Sequence, residues 1–150
     1  MIQFMTDLKI RDLRHFLSLW QDVYASRGKQ AWDHILPYYD QDIVFRDSVQ
    51  KIRGIRDFSA MTRRLAKRSK KIELLVHNSA MTGDLIFMEW EMRISYKKYP
   101  KSSVFGASRI LLRHGKILEQ RDYYDLWGDI FDNIPFLGKA YRLFMRRRFG

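Results

Sequence analysis

The chain has 150 residues, which is the length of one ordinary domain and is enough to bury a sizeable core. A content of 46% hydrophobic and 15% aromatic residues excludes a disordered chain, and the absence of cysteine excludes disulfides, thiolate metal sites and cysteine nucleophiles. The net charge of +11 is concentrated in two runs that contain no acidic residue, 63–71 and 139–148, so the basic character is local.

The first half of the sequence predicts three helices and one strand. Apolar residues at helical spacing predict a first helix over about 11–27 that ends near Gly28, and a short second helix before Pro37. Residues 42–47 predict a strand. Gly54 begins a third helix, whose apolar side faces inward while its arginines and lysines face solvent.

The second half predicts a meander of four strands over 72–81, 85–96, about 102–113 and 116–127. The clearest alternation occurs in the second of these strands, where the even positions are apolar and the odd positions are mostly charged or polar. Helices followed by antiparallel strands predict an α+β domain, in which the helices cover one face of a sheet.

Asp122 is the most informative polar residue of the last predicted strand. Side chains alternate between the two faces of a strand, so Asp122 shares its face with Leu118, Tyr124 and Leu126. An unpaired carboxylate on an apolar face is costly and tends towards the neutral form. We expect Asp122 to be more than half buried on the concave side, either as an acid/base group or as a structural residue bonded to a backbone amide or a tyrosine hydroxyl.

The C-terminal segment 136–149 predicts a basic amphipathic helix, with an apolar stripe opposite its lysine and arginines. Such a helix is typical of contact with an anionic lipid surface, and the alternative is a helix docked on its own domain or on a partner subunit. We do not expect nucleic-acid binding, because no recognition motif accompanies the basic runs. The chain thus divides into one domain over 1–133 and a helical segment over 134–150.

Several chemistries are not indicated by the sequence. The four histidines lack metal-ligand spacing, and there is no nucleophile elbow, phosphate loop or dinucleotide fingerprint. We therefore expect no metal and no cofactor. Charges interrupt the N-terminal residues and no apolar run reaches the length of a membrane span, so we expect a cytoplasmic location, with peripheral membrane contact through 136–149 as an alternative.

Five short segments within about residues 8–127 match the motifs of a known superfamily in the same order. They are 39–47, 53–55, 88–92, 114–117 and 120–125. Together they resemble the nuclear transport factor 2-like superfamily, which includes SnoaL-like polyketide cyclases, ketosteroid isomerases and limonene epoxide hydrolases. The resemblance implies a curved, mixed and mostly antiparallel sheet, wrapped by about three helices into a cone with an apolar pocket. The basic C-terminal helix would be added to this cone.

Within this resemblance, Asp47 matches the strand-ending aspartate that is the general base of the isomerases. Those enzymes bind the substrate oxyanion with a helix tyrosine and a protonated aspartate. Ser108 stands at the position of that aspartate, and Trp20 and Tyr24 fall in the helix that carries the tyrosine. The isomerase machinery is therefore altered in this chain.

Asp122 resembles one of the two aspartates in the Asp-Arg-Asp set with which the limonene epoxide hydrolases activate water and protonate the epoxide. The arginine and the second aspartate of that set would fall near Trp90 and Met92. Large apolar side chains do not protonate an epoxide, so the resemblance does not carry that mechanism over to this chain.

The expected pocket is apolar, with two carboxylates as candidate catalytic residues, Asp122 and Asp47. The residues expected to line it are Phe45, Met88, Trp90, Met92, Ser108, Ile110, Tyr124, Trp20 and Tyr24. One hypothesis is a pocket that binds, isomerises or cyclises a lipid, polyketide-like or steroid-like compound by carboxylate acid/base chemistry. The other is a non-enzymatic interaction module, in which side chains fill the cone and the basic helix holds a membrane surface or a protein partner.

The outer face of the predicted sheet indicates a homodimer. Phe105, Leu111 and Tyr123 occupy odd positions there, and many relatives in the superfamily are dimers. Such residues would leave an apolar patch on a monomer, and patches of this kind usually mark an interface.

Overall fold

A seven-stranded mixed sheet forms the framework of the protein, in a computed structural model that describes residues 8–26, 31–98, 101–130 and 134–150. The strands are β1 (Tyr24–Ser26), β2 (Tyr39–Arg46), β3 (Lys51–Arg53), β4 (Ser69–Thr82), β5 (Leu85–Tyr96), β6 (Ser102–Arg113) and β7 (Lys116–Tyr124). Their spatial order is β1-β4-β5-β6-β7-β2-β3, and every neighbouring pair is antiparallel except the parallel pair of β2 and β7. This confirms the predicted α+β class and the mixed, mostly antiparallel sheet.

Two helices cover the sheet, and a third lies at the C-terminus: α1 (Leu13–Gln21), α2 (Ile55–Arg68) and α3 (Leu137–Phe149). Asp12 caps α1, because its carboxylate accepts a hydrogen bond of 2.7 Å from the backbone amide of His15. Gly54 precedes α2 with φ of 83°, a conformation that glycine adopts without strain. α1 packs on β4, and α2 packs on β2, β3 and β4, so both helices lie over the same sheet.

The N-terminal elements differ from the sequence prediction. α1 ends at Gln21 rather than near Gly28, because the chain turns there and pairs with β4 as the short strand β1. The expected second helix is a single 3₁₀ turn, Leu36–Tyr38, in which Pro37 has no N–H to donate to a longer helix. The strand β3 was not predicted, since three residues give too little alternation to recognise.

The strand β7 contains a β-bulge that changes the expected alternation at its start. Leu111 pairs with Glu119 and Leu112 pairs with Ile117, so Leu118 is the extra residue. Ile117 is consequently buried in the core, whereas the prediction gave that role to Leu118. After the bulge the even residues face inward, as predicted. The strand ends at Tyr124, and a π-helical turn, Leu126–Ile130, follows it.

The core lies between the helices and the sheet face that they cover. Its fully buried large side chains come from both layers, and among them are Phe16, Phe58, Ile35, Ile43, Ile72, Ile86, Ile110 and Ile117. Burying each such side chain is worth roughly 1.5–3 kcal/mol, so the core holds the helices against the sheet. Within the described ranges, no helix is long and apolar enough to cross a membrane.

Candidate functional site

A cavity of about 370 Å³ lies between α2 and the covered face of the sheet, which is within the usual range for small-molecule sites. Its wall is mostly aromatic and aliphatic. Trp20 comes from α1, Phe58 and Leu65 from α2, and Trp90 and Met92 from β5. These elements converge because the apolar sides of both helices pack on the inward residues of the sheet.

Most of the expected polar and aromatic residues meet at this cavity. Asp122 and Asp47 both line it, and so do five of the expected apolar or aromatic residues, Phe45, Trp90, Met92, Tyr124 and Trp20. The cavity therefore brings the two candidate carboxylates into one apolar wall.

Four expected lining residues lie elsewhere. Met88 and Ile110 are core residues with 2% and 0% exposure, and Ser108 is covered by the Trp90 indole, which donates a hydrogen bond to it. Tyr24 lies on β1 with an exposed side chain, because α1 ends before it. Strand alternation correctly predicted that Met88, Ser108 and Ile110 face the interior, but it does not show how far along a strand the cavity extends. Tyr24 was predicted to lie on a helix and lies on a strand instead.

Asp122 is held by a chain of hydrogen bonds through the cavity wall. The Trp90 Nε1 donates to Ser108 Oγ at 2.8 Å, and Ser108 Oγ donates to Asp122 Oδ1 at 2.6 Å. From the other side, the Tyr39 hydroxyl donates to Gln120 Oε1 at 2.6 Å, and Gln120 Nε2 donates to Asp122 Oδ1 at 3.0 Å. The partners are thus two side chains, rather than the tyrosine hydroxyl or backbone amide that we expected.

The direction of each hydrogen bond follows from the two ends of the chain. An indole N–H only donates, so Ser108 accepts from Trp90 and turns its own hydrogen to Asp122. The Tyr39 hydroxyl donates to the amide oxygen of Gln120, which leaves the amide NH₂ for Asp122. Both partners donate to Oδ1, whereas among the residues that the structure describes Oδ2 accepts only a longer contact of 3.3 Å from Gln120. Oδ2 is therefore the oxygen that has room for a proton.

The surroundings of Asp122 bring its pKa close to neutral pH. Burial raises the pKa of Asp122 to about 6, because an apolar wall solvates the charged form poorly. The hydrogen bonds from Ser108 and Gln120 lower the pKa, and the negative charge of Asp47 raises it. A carboxyl group with a pKa near 6 can exchange protons in both directions at physiological pH.

Asp47 is bound differently, since its carboxylate closes the turn after β2. Its Oδ1 accepts from the backbone amides of Val49 and Gln50, each at 2.8 Å. Its Oδ2 accepts from the Tyr124 hydroxyl at 3.2 Å. Burial and the charge of Asp47 raise the pKa of Tyr124, so its hydroxyl stays protonated. Asp47 thus positions the β2–β3 turn and the Tyr124 hydroxyl at the cavity wall.

Sequence reasoning missed two features of this wall. Gln120 and Tyr39 complete the support of Asp122; the even position of Gln120 on β7 was a signal for it, whereas nothing in the sequence pairs Tyr39 with it. Arg64 and Arg68 of α2 also line the cavity, although the helical pattern assigned the basic residues of this helix to solvent. Among the described residues there is no group of three side chains suited to hold a metal ion.

Comparisons with known proteins agree with this architecture. A family model described as a SnoaL-like domain matches residues 13–120, while no curated protein sequence gives a significant match. An LEH-like epoxide hydrolase of M. tuberculosis is 20% identical, with a TM-score of 0.62 over 85% of this chain and 90% of that chain.

Two further solved structures are similar. A hypothetical protein with a ketosteroid isomerase-like fold from Catenulispora acidiphila DSM 44928 is 17% identical, with a TM-score of 0.66 over 78% of this chain and 89% of that chain. An NTF2-like protein of unknown function from Exiguobacterium sp. 255-15 is 18% identical, with a TM-score of 0.63 over 73% of this chain and 97% of that chain. At such identities the likeness shows the fold alone, and it confirms the expected cone.

Proposed function

The chain belongs to the SnoaL-like domain family, and on that premise we propose that it binds a small hydrophobic carbonyl compound and moves a proton on it with Asp122. The observation that carries this proposal is the placement of Asp122 in the wall of an apolar cavity, with one oxygen fixed by two donors and the other left with room for a proton. Lipid-like, polyketide-like and steroid-like ketones are the compounds that match such a cavity.

The proposed step is proton transfer next to the carbonyl. The Asp122 carboxylate takes a proton from the carbon beside the carbonyl group, the C–H electron pair moves into the carbon–carbon bond, and the carbonyl π pair moves to oxygen to give an enolate. Where a C=C bond is conjugated with the enolate, the protonated Asp122 returns the proton to the far carbon of that bond, which isomerises the compound. Alternatively, the enolate carbon attacks a second carbonyl carbon, whose π pair moves to its oxygen, and this oxygen takes the proton from Asp122 as the ring closes. In either case the carboxylate is regenerated by the end of the cycle.

An enolate needs a hydrogen-bond donor for its oxygen, and the candidate is Trp20, whose indole would have to turn its buried N–H towards the cavity when the substrate binds. Trp20 lines the cavity, is 4% exposed, and its indole N–H has no hydrogen-bond partner within the described part of the chain. A buried unpaired donor costs about 1–3 kcal/mol, which a substrate oxygen would recover on binding. This donor comes from α1, the helix in which the superfamily resemblance placed an oxyanion tyrosine.

An epoxide hydrolase mechanism is not part of the proposal. That mechanism needs an arginine and a second aspartate near positions 90 and 92. Trp90 and Met92 stand there, and both line the cavity as apolar side chains.

The proposal is tested by deuterium exchange at the carbons next to the carbonyl of 2-decalone, a bicyclic apolar ketone, followed by NMR in D₂O. The protein should accelerate the exchange, and Asp122→Asn should lower the rate by about 100-fold, the lower limit for a lost general base. Asp84→Asn, a change of an exposed carboxylate in the β4–β5 turn, is the matched control and should leave the rate unchanged. Equal rates for the protein and Asp122→Asn would refute the assignment.

We also propose, as a second function, that the segment 136–149 lies on an anionic membrane surface. The observation that favours it is the exposure of apolar side chains beside basic ones on α3. Leu137, Leu143 and Phe144 are 42%, 52% and 60% exposed, although docking on the domain would bury Leu137, Tyr141 and Phe144. Of these three, Tyr141 is partly buried, and its ring stacks on Trp127 at 5.6 Å between centroids.

A further inference from the structure

Two arginines on α2 face the same cavity as Asp122. Arg64 and Arg68 are one helical turn apart, so their side chains lie on the same side of α2, and both contribute to the cavity wall. Both residues are exposed although they line the cavity, so we infer that their side chains lie at its opening rather than in its apolar interior.

Neither guanidinium has a hydrogen bond or an ion pair within the part of the chain that the structure describes. Two like charges at this spacing repel each other by a few tenths of a kcal/mol, and no carboxylate compensates for them. Arg68 lies in the last turn of α2, where a cation interacts favourably with the helix dipole. The helix dipole gives a structural reason for Arg68, but it gives none for a second arginine, Arg64, beside it at the cavity.

The charges of the cavity are separated between its two sides. Asp122 on β7 and Asp47 in the turn after β2 contribute carboxyl groups on the sheet side, and α2 contributes the guanidinium groups of Arg64 and Arg68. An anionic group on a ligand would be repelled by the sheet side and attracted by the helix side. The planar guanidinium group binds carboxylate oxygens in pairs, which makes arginine well suited to such a group.

We propose that the ligand is an apolar compound with a terminal carboxylate, which Arg64 and Arg68 bind at the opening while the apolar body fills the cavity. This inference rests on the proposed function, because it names the substrate class for the same cavity. The carboxylate end is held at the opening, so the apolar body extends inward along the cavity wall, to which Asp122 also belongs. Together with the proton transfer proposed for Asp122, this makes the substrate an oxo acid whose carbonyl group lies apart from its carboxylate.

The test compares the binding of decanoate, 1-decanol and decylammonium to the full chain at pH 8, followed by fluorescence of the cavity tryptophans. The protein should bind decanoate about tenfold more tightly than 1-decanol, as expected for a charge-assisted hydrogen bond at a partly exposed site. Arg64→Gln/Arg68→Gln should remove this preference and leave the affinity for 1-decanol unchanged. Arg64→Glu/Arg68→Glu should reverse it, so that decylammonium binds more tightly than decanoate.

The chain offers a matched control on the same helix. Arg63→Gln/Lys67→Gln removes two positive charges at the same spacing from residues that do not line the cavity, and it should keep the preference for decanoate. An equal loss in both double variants, or equal binding of decanoate and 1-decanol by the unmodified chain, would overturn the carboxylate inference. In either of those two outcomes, binding of 1-decanol would still support the proposed apolar pocket, and only the carboxylate inference would fail. If none of the three probes binds, the carboxylate inference and the proposed function both fail.

Discussion

Gly106 lies directly opposite Trp90 on the neighbouring strand, and a Cβ atom at position 106 would lie 2.6 Å from two carbons of the Trp90 ring. The same atom would lie 2.7 Å from the backbone oxygen of Tyr123. The absence of a side chain at Gly106 therefore gives the Trp90 indole the space in which it reaches Ser108 and covers the end of the cavity.

Gly106→Ala should displace the Trp90 ring and destabilise the protein by about 1–3 kcal/mol, as other overpacked sites do. The indole has to shift to relieve the first contact, and β6 has to move away from the backbone oxygen of Tyr123 on β7 to relieve the second. Urea unfolding measures the loss of stability, and the difference in tryptophan fluorescence between the variant and the unmodified protein reports the change around the Trp90 ring. Ala107→Gly, a change of one methyl group at an exposed neighbouring position, is the control. Native stability and an unchanged spectrum for Gly106→Ala would contradict this role.

The sequence predicted the long strands well because alternation is a local property of the chain. The bounds of β5 and β6 agree with the predicted ranges 85–96 and 102–113, since each of these strands has one face on the core. The β-bulge at Leu118 was not predictable, because it depends on pairing with β6. The short strands β1 and β3 and the 3₁₀ turn at Pro37 likewise depend on tertiary contacts.

The candidate site was predictable only in part. The alternation of β7 placed Asp122 on the concave face, because parity is maintained after the bulge. Gln120, which bonds to Asp122, also bonds to Tyr39. Gln120 and Tyr39 are 81 positions apart in the sequence, and no local pattern predicts such a contact. The same holds for Arg64 and Arg68, since a helical pattern distinguishes an apolar from a polar side but does not show that the polar side borders a cavity.

The raised pKa of Asp122 gives a pH dependence of stability with a definite sign. The folded protein binds this proton with a pKa of about 6 and the unfolded chain with an ordinary value of 3.8. The contribution to stability is therefore fully present below pH 4 and is lost as the pH rises through 6, by up to about 3 kcal/mol. Asp122→Asn does not titrate, so the variant should gain stability relative to the unmodified protein between pH 4 and 7.

Urea unfolding of both proteins at several pH values measures this difference and cancels the groups that they share. Asp84→Asn, which removes an exposed carboxylate in the β4–β5 turn, serves as the matched control. A constant difference for Asp122→Asn would mean that Asp122 titrates alike in the folded and unfolded states.

We predict that the protein is a homodimer and that the outer face of the sheet forms its interface. Of the predicted residues, Phe105 and Tyr123 are 55% and 46% exposed, whereas Leu111 is partly buried. Phe87, which is 47% exposed, extends the patch, so that it spans the neighbouring strands β5, β6 and β7. A mass of twice 18.2 kDa is expected in light scattering, and Phe105→Lys should shift it to 18.2 kDa by placing a charge in the apolar patch. Phe149→Lys introduces the same charge on α3 and should remain dimeric. A mass of 18.2 kDa for the unmodified protein at micromolar concentrations would refute the dimer.

The basic helix α3 should bind the full-length protein to anionic vesicles. Each basic residue close to such a surface contributes on the order of 1 kcal/mol, and salt screens the attraction. Sedimentation with phosphatidylserine-containing vesicles should therefore be strong at low salt, weaker at high salt, and absent with pure phosphatidylcholine. Arg146→Gln/Arg147→Gln/Arg148→Gln should weaken the binding by about tenfold or more, and deletion of residues 136–150 should abolish it.

Three matched changes on α2, Arg63→Gln, Lys67→Gln and Arg68→Gln, remove the same charge elsewhere and separate a specific surface from general attraction. They should weaken vesicle binding less than the changes in α3, because α2 does not expose a comparable row of apolar side chains. The deleted form should remain folded, since Leu137 and Phe144 contribute little buried area to the domain. If the deletion instead lowers the stability by several kcal/mol and the full chain does not sediment with either vesicle, α3 is a docked structural helix and the membrane proposal is wrong.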